Sequence, residues 1–327
     1  MKKKTTVAKQ ESQIKAQSGI KLSQLNKYLG LLLAAIAFIL YANTLNHDYT
    51  VDDGTVMQNN KIVKKGVSAI PEIFTTAYRK GFWDRNESLY RPLSVAMFAV
   101  EWQLAPENPA IGHWVNVLLY VLTAWLLFRF LVNLFKDDWL FAFVTTLIYV
   151  IHPIHTEVVA NIKSRDEILC FLFLILSFNS FLNLLDKAKP VYALGVLFYF
   201  ILSLLSKESS VTAIIIFPLI AYFFRQHTVG SSIKLSWSPA IAIVVYLSLR
   251  FVVLKGISNF NEILPINNSI VDAQNYFQQL ATAVMIAGKY LYLLIIPYPL
   301  SFDYSYNTFP VVDFSNIKAF FSLAVYV

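Results

Sequence analysis

The chain has 327 residues, of which 57% are hydrophobic and 14% are charged. A soluble domain carries roughly 25% charged residues, so this composition excludes a water-soluble α/β fold. The net charge is +7, but residues 1–27 contain seven lysines against a single acid, Glu11. Because the basic residues are concentrated in this tail, the positive charge does not indicate a nucleic-acid-binding surface.

The apolar residues form runs of about 15 to 22 residues, separated by short polar segments. A helix needs about this length to cross the hydrocarbon core of a bilayer, which is about 30 Å thick. We therefore predict an all-α polytopic membrane protein. The one cysteine, Cys170, lies inside an apolar run, so the chain can form neither an internal disulfide nor a multi-cysteine metal site.

The lysine-rich tail, residues 1–27, lacks aromatic and periodic apolar residues, which predicts a disordered cytoplasmic segment. The first span follows at 28–45 without a signal-peptide cleavage site, so we interpret it as an uncleaved signal anchor. It delivers the chain to the non-cytoplasmic side, where residues 46–112 form the first extracytoplasmic loop. Apolar residues at helical spacing in this loop, such as Ile70 and Ile73, predict short interfacial helices.

Further spans are predicted in chain order at 114–135, 139–152, 168–185, 191–205, 211–224 and 240–254. The apolar stretch 281–296 is either another span or a re-entrant element. Alternation places the cationic segment 225–239 inside, in agreement with the positive-inside rule. The chain stops within a new apolar segment. We therefore expect the transmembrane domain, 28–327, to hold about 8–9 membrane segments and to be truncated at its C-terminus.

Two adjacent carboxylates, Asp52 and Asp53, follow the first span closely. Adjacent side chains point in different directions, so one carboxylate can address a substrate while the other holds structure. A carboxylate beside an apolar surface can act as a base on an alcohol, or it can bind a divalent cation that steadies a phosphate leaving group. The alternative is a pair of solvated loop acids.

Further along the loop and on the second span, polar residues interrupt apolar sequence. Arg91 offers the fork geometry that suits a phosphate, although it can also be an interface anchor whose head reaches the water. His113, Asn116 and Tyr120 are three and four residues apart and share one helix face. Such a face must meet protein or water rather than lipid, so it lines either a substrate site or a helix–helix contact.

Residues 152–167 combine two imidazoles, three carboxylates and two cations, a density that is costly at a membrane boundary unless it has a use. Zinc binding by His152, His155 and Glu157 is conceivable, but their spacing differs from the helical His-Glu-x-x-His pattern. Lys207 and Glu208 form a further pair on the predicted outer face, where a structural ion pair is the alternative.

These outer-face segments suit a polyprenyl phosphosugar, whose phosphate needs cations while its tail lies in the bilayer. We expect residues 48–53, Arg91 and residues 152–167 to converge on one donor pocket. The sequence contains no Walker or dinucleotide-binding glycine loop, so a cytoplasmic nucleotide donor is not indicated.

The polar motifs resemble, in order, those of the membrane domain of the transmembrane and tetratricopeptide repeat (TMTC) O-mannosyltransferase-like proteins, within the GT-C glycosyltransferase superfamily. The resemblance covers about residues 29 to 310. The motifs that carry it are Tyr49-Thr50-Val51-Asp52-Asp53, Tyr90-Arg91-Pro92-Leu93, His113-x-x-Asn116, His152-Pro153-Ile154-His155-Thr156-Glu157, Ser206-Lys207-Glu208 and Pro299-Leu300-Ser301-Phe302-Asp303-Tyr304-Ser305.

The resemblance implies a GT-C-like helix bundle, a lipid-phosphate-linked sugar donor and an inverting transfer to a protein hydroxyl. It makes Asp52 or Asp53 the expected catalytic carboxylate. Contacts to donor phosphate or acceptor are expected from Arg91, His113, His152, His155, Glu157, Arg165, Lys207 and Glu208. No cofactor is certain; a divalent cation at Asp52 and Asp53 remains a hypothesis.

The predicted function is transfer of a single sugar, with mannose as the candidate, from a polyprenyl-phosphate carrier to Ser or Thr of exported proteins. The Lys-, Ile- and Asn-rich composition favours a bacterial inner membrane, with the endoplasmic reticulum as the eukaryotic alternative. Membrane lipids and the protein translocon are the further partners considered. The alternative function is a non-catalytic membrane scaffold or accessory subunit of the secretion machinery. A transporter is disfavoured because charges in mid-span are nearly absent.

Overall fold

A computed structural model describes residues 2–50, 52–83, 87–136, 138–254, 268–301, 304 and 307–327, with only the backbone for 2–21. All regular structure in these ranges is helical, which confirms the prediction of an all-α membrane protein. Val51, Phe302, Asp303 and Ser305, which belong to the motifs above, lie outside the described residues.

Thirteen α-helices occur in the described ranges. They are α1 (Lys2–Tyr41), α2 (Ile70–Ile73), α3 (Pro92–Leu104), α4 (Pro109–Leu134), α5 (Trp139–Ile151), α6 (Thr156–Ala160), α7 (Arg165–Lys187), α8 (Pro190–Ser206), α9 (Ile216–Leu219), α10 (Val229–Leu235), α11 (Trp237–Leu254), α12 (Tyr276–Ile295) and α13 (Ile317–Tyr326). The chain divides into two units. Unit 1 comprises Met1–Ile151 and Val158–Lys255, and unit 2 comprises His152–Glu157 and Gly256–Val327.

Four of the described helical segments are long and apolar enough to cross a membrane: Leu22–Asn46, Pro109–Leu134, Ile162–Lys187 and Trp237–Leu254. A fifth is added if Trp139–Ile151 and Pro153–Ala160 count as one broken span. The protein is therefore a multi-pass membrane protein. Each of the four coincides with a predicted span or extends beyond it, apart from the predicted end at residue 135, while Pro190–Ser206 and Glu208–Phe224, at two other predicted spans, are shorter apolar helices. The total of about 8–9 segments stays a prediction.

The first helix begins at Lys2 and continues without a break to Tyr41. It therefore includes residues 2–27, which belong to the segment for which the sequence predicted disorder. Lys, Ala, Gln and Glu, which make up much of this segment, have high helix propensity, and no proline interrupts it. The lack of an apolar stripe was thus no barrier to helix formation, and the cytoplasmic location of the tail stays a prediction.

The core of unit 1 lies between α4, α7, α8 and the helical segment 208–224. Phe217 sits at its centre and is fully buried. Its ring meets those of Phe178, Phe181 and Phe200 at centroid distances of 4.9, 5.3 and 5.2 Å, in edge-on geometries. Such edge-to-face pairs add to the dispersion energy of a close-packed core. The spans of unit 1 are therefore fixed against one another by aromatic packing.

The first loop is a second, smaller core within unit 1, built on α3. Short helical turns at Gly54–Gln58 and Val63–Ala69 and helix α2 bury Val56, Val63 and Ile73 against Phe98. The loop is thus largely helical, as predicted, and its placement at a membrane surface remains a prediction. In unit 2, α12 and α13 pack through Ala281, Met285 and Ala319.

Candidate functional site

Asp53 is completely buried and its carboxylate accepts three hydrogen bonds. Oδ2 accepts from the Thr50 backbone N–H at 2.9 Å and from the Thr50 hydroxyl at 3.0 Å. Oδ1 accepts from the backbone N–H of Lys163 at 2.7 Å. Because Lys163 precedes α7, this carboxylate fastens the first loop to the start of that helix. Asp53 therefore holds structure.

Asp52 is the accessible carboxylate of the pair, with 45% of its side chain exposed. Its Oδ2 lies 3.7 Å from the Lys163 ammonium, an ion pair without a close hydrogen bond. Asp52 thus keeps the lone pairs that a general base needs, and a cation stands beside it.

A divalent cation at Asp52 and Asp53 would have to compete with the donors already present. Both Asp53 oxygens accept N–H or O–H donors, and the neighbouring ammonium of Lys163 repels a second cation. Among the described residues, no group of three or more His, Cys, Asp or Glu side chains could hold a metal ion. The residues present therefore fit a divalent cation poorly.

Arg91 is enclosed by two carboxylates from distant parts of the chain. Its Nη1 donates to Asp166 at 2.6 Å, while Nε and Nη2 donate to the two oxygens of Glu208 at 2.8 and 2.5 Å. The guanidinium also lies over the Tyr78 ring, 5.5 Å from its centroid. The predicted phosphate fork is therefore closed by protein oxygens here, and it ties α3 to α7 and to the segment after α8.

Electrostatics keep both members of the Arg91–Glu208 pair charged. Burial alone would lower the pKa of Arg91, but hydrogen bonding to Glu208 and the charge of Asp166 raise it above its ordinary value. Burial alone would raise the pKa of Glu208, and the hydrogen bonds from Arg91 reverse this, so the carboxyl titrates below its usual range. At neutral pH the pair is a permanent ionic contact.

Two further charged pairs flank this contact. Lys207 forms an ion pair with Glu167, in the first turn of α7. Arg79 and Glu87 of the first loop form another at 3.4 Å. Burial is the largest influence on Glu87 and raises the pKa of its carboxyl. Lys207 and Glu208 were predicted to contact a substrate, with a structural ion pair as the alternative; each forms an ion pair with a residue of another element, and contact with a substrate stays a prediction.

Arg165 lies deeper than Arg91 and is fully buried. It pairs with Glu101 through Nη1 and Nη2, donates from Nε to the Asn116 side chain at 2.8 Å, and donates from Nη2 to the Gly112 carbonyl at 3.0 Å. Arg165 lies on α7, Glu101 lies on α3, and both Gly112 and Asn116 lie on α4. The guanidinium therefore joins three helices. In this geometry Arg165 holds the three helices together. Its predicted contact with a sugar donor stays a prediction.

The polar face of α4 is used for contacts within the protein. Asn116 donates to the Asn161 carbonyl at 2.9 Å, and the Tyr120 hydroxyl donates to the Val150 carbonyl at 3.1 Å. His113 is buried; its Nε2 lies 3.4 Å from the Asp48 carbonyl, and its Nδ1 has no partner among the described groups. Asn116 and Tyr120 thus make contacts within the protein, in line with the helix–helix alternative. The Nδ1 atom of His113 is left without a partner among the described groups.

The remaining predicted site residues, His152, His155 and Glu157, belong to unit 2. His152 Nδ1 accepts from the Ile154 backbone N–H at 3.2 Å, so Nε2 carries the proton and donates to the Leu294 carbonyl at 3.1 Å. The two imidazole centroids are 6.2 Å apart, and Glu157 is exposed. Their predicted contacts with a substrate remain predictions.

Three residues of the site in unit 1 were not predicted as site residues. Glu101 is the partner of Arg165, Asp166 is a partner of Arg91, and Lys163 stands beside Asp52. Glu101 is the single charged residue in the apolar helix α3, which was an available signal. Lys163 and Asp166 lay within the dense polar segment 152–167, but sequence spacing does not distinguish members that face the site.

The chain is similar to curated protein O-mannosyl-transferases of animals. It is 34% identical to "Protein O-mannosyl-transferase TMTC1" of Mus musculus over 194 residues, which are 55% of this chain and 20% of that protein. It is 26% identical to TMTC2 of Mus musculus over 323 residues, covering 89% and 38%. It is 27% identical to "Protein O-mannosyl-transferase F38B6.6" of Caenorhabditis elegans over 284 residues, covering 84% and 39%.

These similarities confirm the resemblance to TMTC-type O-mannosyl-transferases that the ordered motifs indicated. The chain spans between about a fifth and about two fifths of the length of these curated relatives. No protein-family profile matches it, and no solved structure matches it.

Proposed function

We propose that this protein is a glycosyltransferase that moves a single sugar from a polyprenyl-phosphate carrier to a Ser or Thr hydroxyl of an exported protein. The observation that carries the proposal is the difference in burial and hydrogen bonding between two adjacent carboxylates. Asp53 is buried and saturated with hydrogen bonds, whereas Asp52 is accessible and stands beside Lys163. The names of the relatives support the same reaction class and make mannose the candidate sugar.

In the proposed reaction, Asp52 accepts the proton of the acceptor hydroxyl as its oxygen attacks the anomeric carbon of the sugar. The new bond from this oxygen to carbon forms while the bond from carbon to the phosphate oxygen breaks. The polyprenyl phosphate leaves with the electron pair, and attack from the opposite side inverts the configuration. A positioned base of this kind contributes about 10²- to 10⁴-fold to the rate.

The leaving phosphate needs a cation, and the contacts of the described residues favour Lys163. Its ammonium is 3.7 Å from Asp52 and forms no closer bond to it. Arg91, in contrast, already donates three hydrogen bonds to Asp166 and Glu208. We therefore assign Lys163 to the donor phosphate and give Arg91 the role of holding α3 in place beside it.

The proposal includes a location and partners. The lipid tail of the donor would lie in the bilayer, and the acceptor would approach from the aqueous, non-cytoplasmic side. A GT-C-like arrangement, a cytoplasmic N-terminus and a bacterial inner membrane belong to the same proposal. The translocon is a proposed neighbour because the acceptor would be a protein in transit.

The test compares single substitutions in the purified full chain, supplied with a polyprenyl-phosphate sugar and a Ser/Thr-containing acceptor peptide. Asp52→Asn should lower release of polyprenyl phosphate by at least about 100-fold without changing thermal stability. Asp53→Asn should lower the unfolding temperature, because it disrupts the link to Lys163. Glu107→Gln, at an exposed acid of the same loop, is the matched control and should behave as wild type. Full transfer by Asp52→Asn would overturn the proposal.

The second candidate is a non-catalytic membrane subunit near the secretion machinery. The closed contacts of Arg91 favour it, because a guanidinium saturated by Asp166 and Glu208 stabilises the fold without needing a donor. This candidate predicts that the wild-type chain releases no lipid phosphate from any polyprenyl-phosphate sugar. It also predicts that Asp52→Asn leaves binding to purified translocon subunits unchanged.

A further inference from the structure

A groove of about 620 Å³ lies between α1 and α4, at the end of α4 far from the charged contacts described above. From Asn116 to Arg129 the axis of α4 rises by about 20 Å. The groove is lined on one side by Asn26 and Lys27 of α1, and on the other by Trp125, Phe128 and Arg129 of α4. None of these residues takes part in the proposed transfer, so the groove needs a separate explanation.

The mouth of the groove carries two cations without an acidic partner. Lys27 and Arg129 are both exposed, and neither forms an ion pair with any acid whose side chain the structure describes. Arg129 is instead held over the indole of Trp125, 4.9 Å from the ring centroid. Two cations beside apolar helices at the end of a span attract an anionic group.

Close packing fixes the position of the Trp125 indole, and therefore of Arg129. Gly30 of α1 lies against this ring. A Cβ at position 30 would stand 3.0 Å from Trp125 Cδ1, which is nearer than side chains normally approach. The indole thus occupies the space that the missing side chain leaves. The cationic mouth is therefore a formed feature of the α1–α4 contact.

The surface that continues from the groove is apolar and accessible. Leu118 and Leu122 lie on the same face of α4 as Trp125 and Arg129, at spacings of three or four residues, and are 52% and 40% exposed. In a spanning helix this face meets acyl chains. A ligand with an anionic head and a hydrocarbon tail fits this surface better than a free anion.

We propose that this groove binds one anionic phospholipid. The phosphate would lie between Lys27 and Arg129. One acyl chain would follow the face of Leu118 and Leu122. Such a lipid would join α1 to α4, and the inference is independent of the sugar transfer proposed above.

The experiment measures lipid retention by native mass spectrometry of the purified full chain in detergent, with phosphatidylglycerol, phosphatidic acid, phosphatidylcholine and inorganic phosphate as separate probes. One phosphatidylglycerol should remain bound in preference to phosphatidylcholine, and inorganic phosphate should not displace it. Each cation removed should weaken retention roughly fivefold, and Lys27→Gln with Arg129→Gln together about thirtyfold. The matched control is Lys189→Gln with Lys234→Gln, two exposed lysines elsewhere, and it should retain the lipid as wild type does.

The wild type should also retain phosphatidic acid, because this lipid likewise combines an anionic phosphate with two acyl chains. Equal retention of phosphatidylcholine by the wild type, or undiminished retention by the Lys27–Arg129 double variant, would overturn the proposal. Because the comparison of lipids uses the wild-type chain, it decides the question even if a variant fails to fold.

Discussion

Arg165 and Glu101 form an ion pair that is enclosed within unit 1. Arg165 is fully buried, and Glu101 beside it is almost fully buried. Burial raises the pKa of Glu101 against the lowering effect of Arg165, so removal of the arginine would leave a carboxyl in an unfavourable setting. Such a pair is expensive to break from one side, even where its net contribution to stability is small.

We predict strong coupling between these two residues. Arg165→Met or Glu101→Leu alone should each lower the free energy of unfolding by about 3–5 kcal/mol, because each leaves an uncompensated buried partner. The double variant should lose clearly less than the two single losses together. Reversible denaturation in detergent, read by tryptophan fluorescence, measures the cycle. Losses that simply add would show that the two side chains do not act as a pair.

At the scale of elements, the first loop is held to α3 by a backbone turn that only glycine adopts easily. Gly66 has φ of 70° and lies against Gln103 of α3, whose Oε1 accepts from the Val67 N–H at 2.8 Å. A Cβ at position 66 would stand 2.5 Å from that Oε1 and 3.0 Å from the Gln103 Cβ. The same loop carries Asp52, so its seating on α3 also sets the position of the candidate base.

Gly66→Ala should therefore destabilise the loop in two ways, through the left-handed backbone and through collision with Gln103. We expect a loss of at least about 1 kcal/mol, together with faster proteolytic cleavage within residues 54–69. Gly230→Ala is the matched control. Position 230 lies in helix α10, and apart from its chain neighbours and the backbone of its own helix no heavy atom is within 4 Å of an added Cβ, so alanine should be neutral or stabilising there. Equal cleavage of both variants and wild type would contradict the prediction.

At the scale of the whole molecule, the alternation of spans predicts which ends of the helices share a side of the membrane. Helix α8 has 17 residues, so its ends are about 25 Å apart. Lys207 and Glu208 follow its C-terminal end, and Lys189 precedes its N-terminal end. The predicted topology places the C-terminal end of α8 outside the cell and its N-terminal end inside.

Cysteine labelling tests this orientation directly. The native Cys170 is only 8% exposed and should give little background. A membrane-impermeant maleimide added to intact cells should label Ser209→Cys, because Ser209 is exposed beside the candidate site. It should label Lys189→Cys only after the cells are permeabilised. The reverse pattern would place Lys207 and Glu208 in the cytoplasm and remove the basis for an exported acceptor.

The sequence by itself determined the class of the protein and the position of its long apolar helices. Because a bilayer core requires long apolar segments with satisfied backbones, runs such as 114–135 and 168–185 could be predicted from composition alone. The ordered motifs likewise indicated the TMTC-type relatives. In the N-terminal tail the sequence lacks an apolar stripe, and the structure has a helix that begins at Lys2, in a segment rich in residues of high helix propensity.

Only the tertiary structure decided which polar residues meet. The Arg91–Glu208 contact joins positions 117 residues apart, and the Arg165–Glu101 contact joins positions 64 apart. No local periodicity encodes such pairings, because they depend on how separate helices pack. For the same reason the sequence could not show which of Asp52 and Asp53 is accessible to a substrate. The fold buries Asp53 against the Lys163 backbone and leaves Asp52 accessible, so the two carboxylates differ in solvation and hydrogen bonding.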